Sequence, residues 1–210
     1  NHLFLGFDTG SIQNSSIDDP VVFDVARGAG EVGFGQPITG LVSNTRDSLI
    51  ITARNKLGYL TGSSSLDFSL QSLSEDSGAV ADTLQVVGTP IFLDDQGVRD
   101  MTAAQTFGDW QIGTKTQKVE PYLRQKRNAG ILPVGSMRVR GKDQYRLFFN
   151  DGSGLVLYFG RKTPEAMPFQ LPFVPYALTS GEDAQGAEVL LAAGADGYVY
   201  TLDSGTSFDG

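Results

Sequence analysis

The chain has 210 residues, a formal net charge of −8 and 40% apolar residues, enough to build a sizeable packed core. It contains no cysteine, which excludes disulfides, thiolate metal sites and cysteine nucleophiles. No run of eighteen apolar residues crosses a membrane as a helix, and the acidic balance argues against general nucleic-acid binding by the whole chain. Glycine occurs 26 times, phenylalanine 13 times and tyrosine seven times. That mixture suits pleated strands joined by tight turns, with almost no helical periodicity.

In chain order, one unit recurs: an apolar strand, a Gly/Asp/Asn turn, a second strand, and then a third strand opened by an aromatic. The first unit is Leu3-Phe-Leu-Gly-Phe7, the turn Asp8-Thr-Gly10, Ser11-Ile-Gln13, and Val21-Val-Phe23. The second runs Leu49 to Ala53, Leu57 to Leu60, and Phe68 to Leu73. The third runs Ile91 to Leu93, Val98 to Met101, and Trp110 to Ile112. The fourth runs Leu147 to Phe149, Leu155 to Phe159, and Phe169 to Leu171. The fifth runs Val189 to Leu191, Tyr198 to Leu202, and ends near Phe208.

The unit starts at 3, 49, 91, 147 and 189 are spaced 46, 42, 56 and 42 residues apart. This is close to one blade of a β-propeller, about 40–50 residues. One hairpin plus a strand cannot bury both its faces, so similar units are expected to stack on one another. A sandwich or barrel with regular hairpin spacing fits the same pattern. The expected fold is therefore all-β and propeller-like, about five repeats of roughly 42 residues, in one domain over 1–210. The long spacing reads as an insertion from Lys115 to Gly135. Within it, Val119 to Asn128 has Pro121 early and cations late, the signature of a short helix. The chain opens in a strand and stops after an aromatic, so the sequence is expected to be a fragment of a longer polypeptide.

Several residue types invite a chemical reading. Asp8, Asp18, Asp19, Asp94, Asp95, Asp151, Asp196, Asp203 and Asp209 crowd the turns. A converging pair could serve as general acid and base, as in glycoside hydrolases. Their closeness to glycines favours ordinary turn chemistry, in which Asp bonds its own backbone. Asp203 and Gly205 resemble half a calcium loop but lack the remaining ligand spacing, so no metal is expected. His2 is the only histidine and sits at the chain start, which argues against a Ser-His-Asp triad or a histidine metal site. Gly28-Ala-Gly30 and Gly33-Phe-Gly35 lack the helix and Lys-Ser/Thr of a phosphate loop and read as flexible connections.

One charge cluster stands out. Lys115, Lys118, Arg124, Lys126, Arg127, Arg138, Arg140, Lys142 and Arg146 are nine of the sixteen basic residues, opposed locally only by Glu120 and Asp143. They are the candidates for a face toward DNA or toward an acidic neighbouring subunit. A solvated helix face and strand is the plainer alternative. Aromatic interleaving is limited to Tyr122 and Tyr145, so a specific nucleic-acid module is not indicated.

Longer stretches carry a resemblance. They are Asp47 to Gly62 with Asp67-Phe68, Gly88 to Arg99 with Phe107-Gly-Asp109 and Glu120-Pro-Tyr-Leu123, Gln144 to Gly152, and Asp196 to Gly210. In this order they resemble the propeller-like part of short-tailed bacteriophage tail nozzle proteins, the group that includes packaged-DNA stabilisation proteins. The resemblance implies a virion component, made in the bacterial cytoplasm. It would be a homo-oligomeric ring with other tail subunits around the DNA channel, touching DNA non-specifically, without cofactor or catalytic residues. A carbohydrate-active propeller, either glycosidase or glycan binder, is the alternative expectation. It would use carboxylates such as Asp94, Asp95, Asp151 and Asp196 beside an aromatic platform such as Trp110 or Tyr198.

Overall fold

A computed structural model describes residues 2–44, 48–103, 110–114, 119–160 and 164–204. Lys115, Lys118, Phe208 and Asp209 lie outside these residues, as does the side chain of Trp110. The chain divides into two compact units, Asn1–Gly113 and Thr114–Gly210.

The first unit holds three antiparallel sheets of sequence-adjacent strands. The first sheet is β1 (Phe4–Gly6), β2 (Ser11–Asn14) and β3 (Gly30–Gly33). The second is β4 (Ile38–Asn44), β5 (Ser48–Ala53), β6 (Leu57–Thr61) and β7 (Ser69–Ser74). The third is β8 (Gln85–Val87), β9 (Thr89–Asp94), β10 (Gly97–Ala103) and β11 (Trp110–Thr114).

The second unit opens with α1 (Glu120–Asn128), which has Pro121 in its first turn and Lys126 and Arg127 in its last. A four-stranded sheet follows: β12 (Pro133–Val139), β13 (Gln144–Phe149), β14 (Ser153–Tyr158) and β15 (Glu165–Gln170). The last sheet is β16 (Pro175–Glu182), β17 (Glu188–Gly194) and β18 (Val199–Leu202). The fold is thus all-β and propeller-like, with five small meandering sheets and one short α-helix.

The central hairpin of each repeat was read correctly, because its turn is written in the sequence. In three sheets the same turn recurs. The amides of Gly10, Gly152 and Gly197 donate to Phe7, Phe149 and Gly194 at 3.1 Å. Each of these glycines has φ between 80° and 86°, which a β-carbon disfavours, and this left-handed residue closes the hairpin.

The flanking strands differ from expectation. Val21 to Phe23 is not a strand. It belongs to a loop held by the bridge between Ser16 and Asp19 and by a 3-10 turn at Val25–Arg27, which Asp24 caps through the Ala26 amide. The third strand of that sheet is Gly30–Gly33, a segment that reads in the sequence as flexible connection. Its four ladder positions opposite Ser11 to Asn14 override the weak propensity of its two glycines. The proposed insertion ends early, because Pro133–Val139 is the outer strand β12. Proline is tolerated there at the first strand position.

The sheets cover one another within each unit. Adjacent residues of β5 point opposite ways: Ile51 packs with Ile12 of the first sheet and with Phe34 just after it, Ile50 with Phe92 and Met101 of the third. Both isoleucines are fully buried, each contributing about 1.5–3 kcal/mol. In the second unit, Met137, Val139 and Phe148 pack on Leu190 of β17.

Candidate functional site: charged clamps and an aromatic turn

Among the described residues, most cations of the basic segment pair with carboxylates. Arg124 pairs with Glu120 one helical turn back, at 3.3 Å. Lys126 reaches Asp151 at 2.6 Å and lies over the rings of Tyr122 and Phe149. Arg140 binds Glu182, and the Arg140 and Gly141 amides donate to Glu188 at 2.6 and 2.9 Å. Half-buried Arg138 adds its positive charge near the same Glu188. Lys142 and buried Arg146 both grip Asp203 at 2.6 Å. Arg127 is exposed on α1 and has its own interaction. Among the described residues, five of the seven candidate cations therefore engage carboxylates in ion pairs. Glu182 and Glu188 come from the last sheet and Asp203 from just after it, 36 or more residues beyond Arg146, so the sequence cluster is opposed from a distance. The pairs made by Arg140, Lys142 and Arg146 join the last two sheets.

The electrostatics agree with that role. Bonds from Arg146 and then Lys142 hold the Asp203 carboxyl at about 2, against the opposing effect of burial. Burial also works against ionisation of Asp151. The Lys126 ammonium and the Ser153 hydroxyl and amide outweigh it, and the carboxyl titrates at about 2. For Glu188, burial is again opposed, by the Gly141 and Arg140 amides and the nearby arginines, and its pKa lies below the usual value.

The turn carboxylates are mostly occupied by their own turns. Asp94 accepts the Gln96 amide at 2.6 Å, the Ser77 hydroxyl at 3.1 Å and Arg99 at 2.9 Å. Asp95 binds Arg54. Asp151 accepts the Ser153 amide at 3.0 Å, and Asp196 the Tyr198 amide at 3.2 Å. These are Asx-type turn bonds. Asp94 and Asp95 share the β9–β10 turn, Asp151 lies on the β13–β14 turn, and Asp196 on the β17–β18 turn. No group of three or more metal-ligating side chains occurs among the described residues. His2 is not frayed. Its Nδ1 donates to the Ser15 carbonyl at 2.6 Å, and its ring packs on Phe68 and Phe4.

One constellation was only half legible in the sequence. At the β17–β18 turn, Phe173 stacks on Tyr200 with centroids 3.9 Å apart, and Tyr198 stands 6.5 Å from Tyr200 at 60°. The Tyr200 hydroxyl donates to Asp196. Tyr198 is 67% exposed. Tyr198 and Asp196 stood out as candidates, whereas Phe173 lies 23 residues earlier and nothing local connects it to them.

These features define an all-β, propeller-like protein in which five of the described cations of the basic segment are paired with carboxylates. Neither a protein-family model nor a curated protein matches the sequence. Solved β-propellers do match the structure. BBS1N in complex with ARL6DN has a TM-score of 0.57 at 14% identity, covering 94% of this chain and 59% of that one. The N-terminal domain of Nup159 has a TM-score of 0.53 at 11% identity, covering 96% and 60%. A streptogramin B lyase has a TM-score of 0.53 at 13% identity, covering 98% and 66%. The chain thus spans about three fifths of the length of the first two structures. At these identities the likeness defines the fold alone.

Proposed function

We propose that this chain is an assembly module of a bacteriophage tail, the propeller-like part of a nozzle-type ring around the DNA channel, acting by shape and not by catalysis. The observation that carries this reading is the commitment of its polar groups to structure. Asp94, Asp95 and Asp151, which could have supplied acid–base chemistry, are each bound to a cation, and Asp94 and Asp151 also close their own turns. What remains for a partner is a set of rigid loops and sheet edges. The tail assignment itself is supported by the ordered resemblance of the segments between Asp47 and Gly210 to nozzle-type proteins. In a channel wall, a basic segment neutralised by Glu182, Glu188 and Asp203 suits DNA sliding past better than DNA held fast.

The alternative, a carbohydrate-active propeller, requires two carboxylates converging on one glycosidic bond. Asp94, Asp95 and Asp151 are each already bound to a cation of this chain, which favours the assembly reading. Electron microscopy of particles assembled with the complete polypeptide tests the proposal. Several copies of the polypeptide in a ring around the tail channel, each with its propeller-like part, are expected. Absence of the polypeptide from the particle, or turnover of a glycan panel by the purified chain, overturns it.

A further inference from the structure

We propose that the β17–β18 turn is a recognition site for a cationic side chain, an arginine or lysine presented by a basic peptide segment. The site is built from Asp196, Tyr198, Tyr200 and Phe173, and it stands independently of the tail assignment.

The argument starts from Asp196. Several surface carboxylates of this chain have a cation: Asp95 has Arg54, Glu75 has Lys56, Asp151 has Lys126, and Asp203 has Arg146 and Lys142. Asp67 and Asp183, by contrast, close their own turns through backbone amides; Asp196 differs from them in standing beside tyrosine rings. Asp196 is held by the Tyr198 amide and the Tyr200 hydroxyl, and among the described residues no lysine or arginine pairs with it. Those two bonds keep its carboxyl below the usual range, so it is ionised at neutral pH. A negative charge fixed in position, exposed and without a cation attracts one from outside.

The aromatic groups add to that attraction. A ring face carries the negative end of its quadrupole, so a cation over tyrosine gains about 0.5–1 kcal/mol when exposed and more when desolvated. Tyr198 offers such a ring at 67% exposure. The Tyr200 hydroxyl donates a hydrogen bond to Asp196, which raises the tyrosine's pKa and holds the carboxylate beside the rings. Phe173, stacked at 15° on Tyr200, fixes that ring in place. Gly194 supplies the room: a β-carbon there would lie 2.4 Å from Asp196 Oδ1 and 3.0 Å from Tyr200 Cε2. The turn can fold its carboxylate back against the ring only because that position has no side chain.

A neutral sugar would also stack on Tyr198, but it would use the fixed charge only as a hydrogen-bond acceptor. A guanidinium or ammonium group uses both the charge and the ring. Cationic peptide is therefore the ligand class the geometry favours.

The test uses acetylated hexa-arginine amide and maltohexaose as probes, titrated into the 210-residue chain by calorimetry at about 150 mM salt, where long-range attraction is largely screened. Hexa-arginine should bind. Asp196→Asn and Tyr198→Ala should each weaken it about three- to fivefold, the size of one exposed charge or ring contact. Asp183→Asn is the control for net charge. Asp183 closes its own turn through the Gln185 and Ala187 amides, and its replacement should leave affinity within about twofold. Unchanged melting temperatures would show that the variants fold. Equal losses for Asp183→Asn and Asp196→Asn would mean diffuse attraction to an acidic protein and would overturn the site. So would maltohexaose binding in place of hexa-arginine, or no binding of either probe.

Discussion

Asp203 joins two sheets through side chains that lie 57 and 61 residues away in sequence. With φ at 57° it occupies the left-handed region that asparagine also tolerates. Asp203→Asn therefore removes the charge without straining the backbone. The folded pKa of Asp203 is depressed, so its contribution is complete above the ordinary aspartate value near 4. It is lost as pH falls from about 4 towards 2. Discounted for partial solvent screening, it amounts to about 1–2 kcal/mol at neutral pH. Thermal melts should show Asp203→Asn less stable at pH 7, with the gap to the parent chain closing near pH 2. A gap that persists in acid would mean that the clamp acts through packing instead of charge. Asp203 was legible in the sequence as a turn residue. Its role was not, because Lys142 and Arg146 reach it only after the last sheet has docked.

The sheets differ in how many of their faces are covered. β5 is buried along nearly its whole length because the first and third sheets cover its two sides. β17 alternates, with Leu190, Ala192 and Gly194 buried and Val189, Leu191 and Ala193 only half-buried. Val199, opposite Ala193, is 68% exposed on that outer side. Chemical denaturation should separate the two situations. Ile51→Ala should cost about 2–5 kcal/mol, whereas Val199→Thr should stay within about 0.5 kcal/mol.

Close approach between segments gives a second element-scale prediction. After β7 the chain passes so near the β5–β6 turn that a β-carbon on Gly78 would lie 2.2 Å from the Ala53 carbonyl oxygen. The neighbouring atoms are backbone and cannot swing aside. Gly78→Ala should therefore lower the unfolding free energy by about 1–3 kcal/mol. The strand hairpins were readable because their turns need particular residues. β4, β8, β12 and β16, which precede them, were missed. Ile38–Asn44 and Pro175–Glu182 mix apolar, small and polar residues without strong alternation. Their strand state comes from pairing with β5 and β17.

Over the whole chain, a charge of −8 and a mostly paired basic segment set the expected behaviour toward nucleic acid. Fluorescence anisotropy with double-stranded DNA at about 150 mM salt should show no binding tighter than about 100 µM, the weak limit of the ordinary non-specific range. Tight, salt-steep binding would restore the basic segment as a DNA grip.

The all-β class, the hairpin in each repeat and the short helix follow from the residues alone. Those depend on turn residues, on alternation and on proline and charge placement, all of which act over a few neighbouring positions. Only the tertiary structure decided which segments became outer strands, that Arg140, Lys142 and Arg146 are clamped by Glu182, Glu188 and Asp203, and that Phe173 stacks beside Tyr200. Such partners are distant in sequence, and Coulomb attraction and ring contact act only between groups that folding has already brought within a few ångströms.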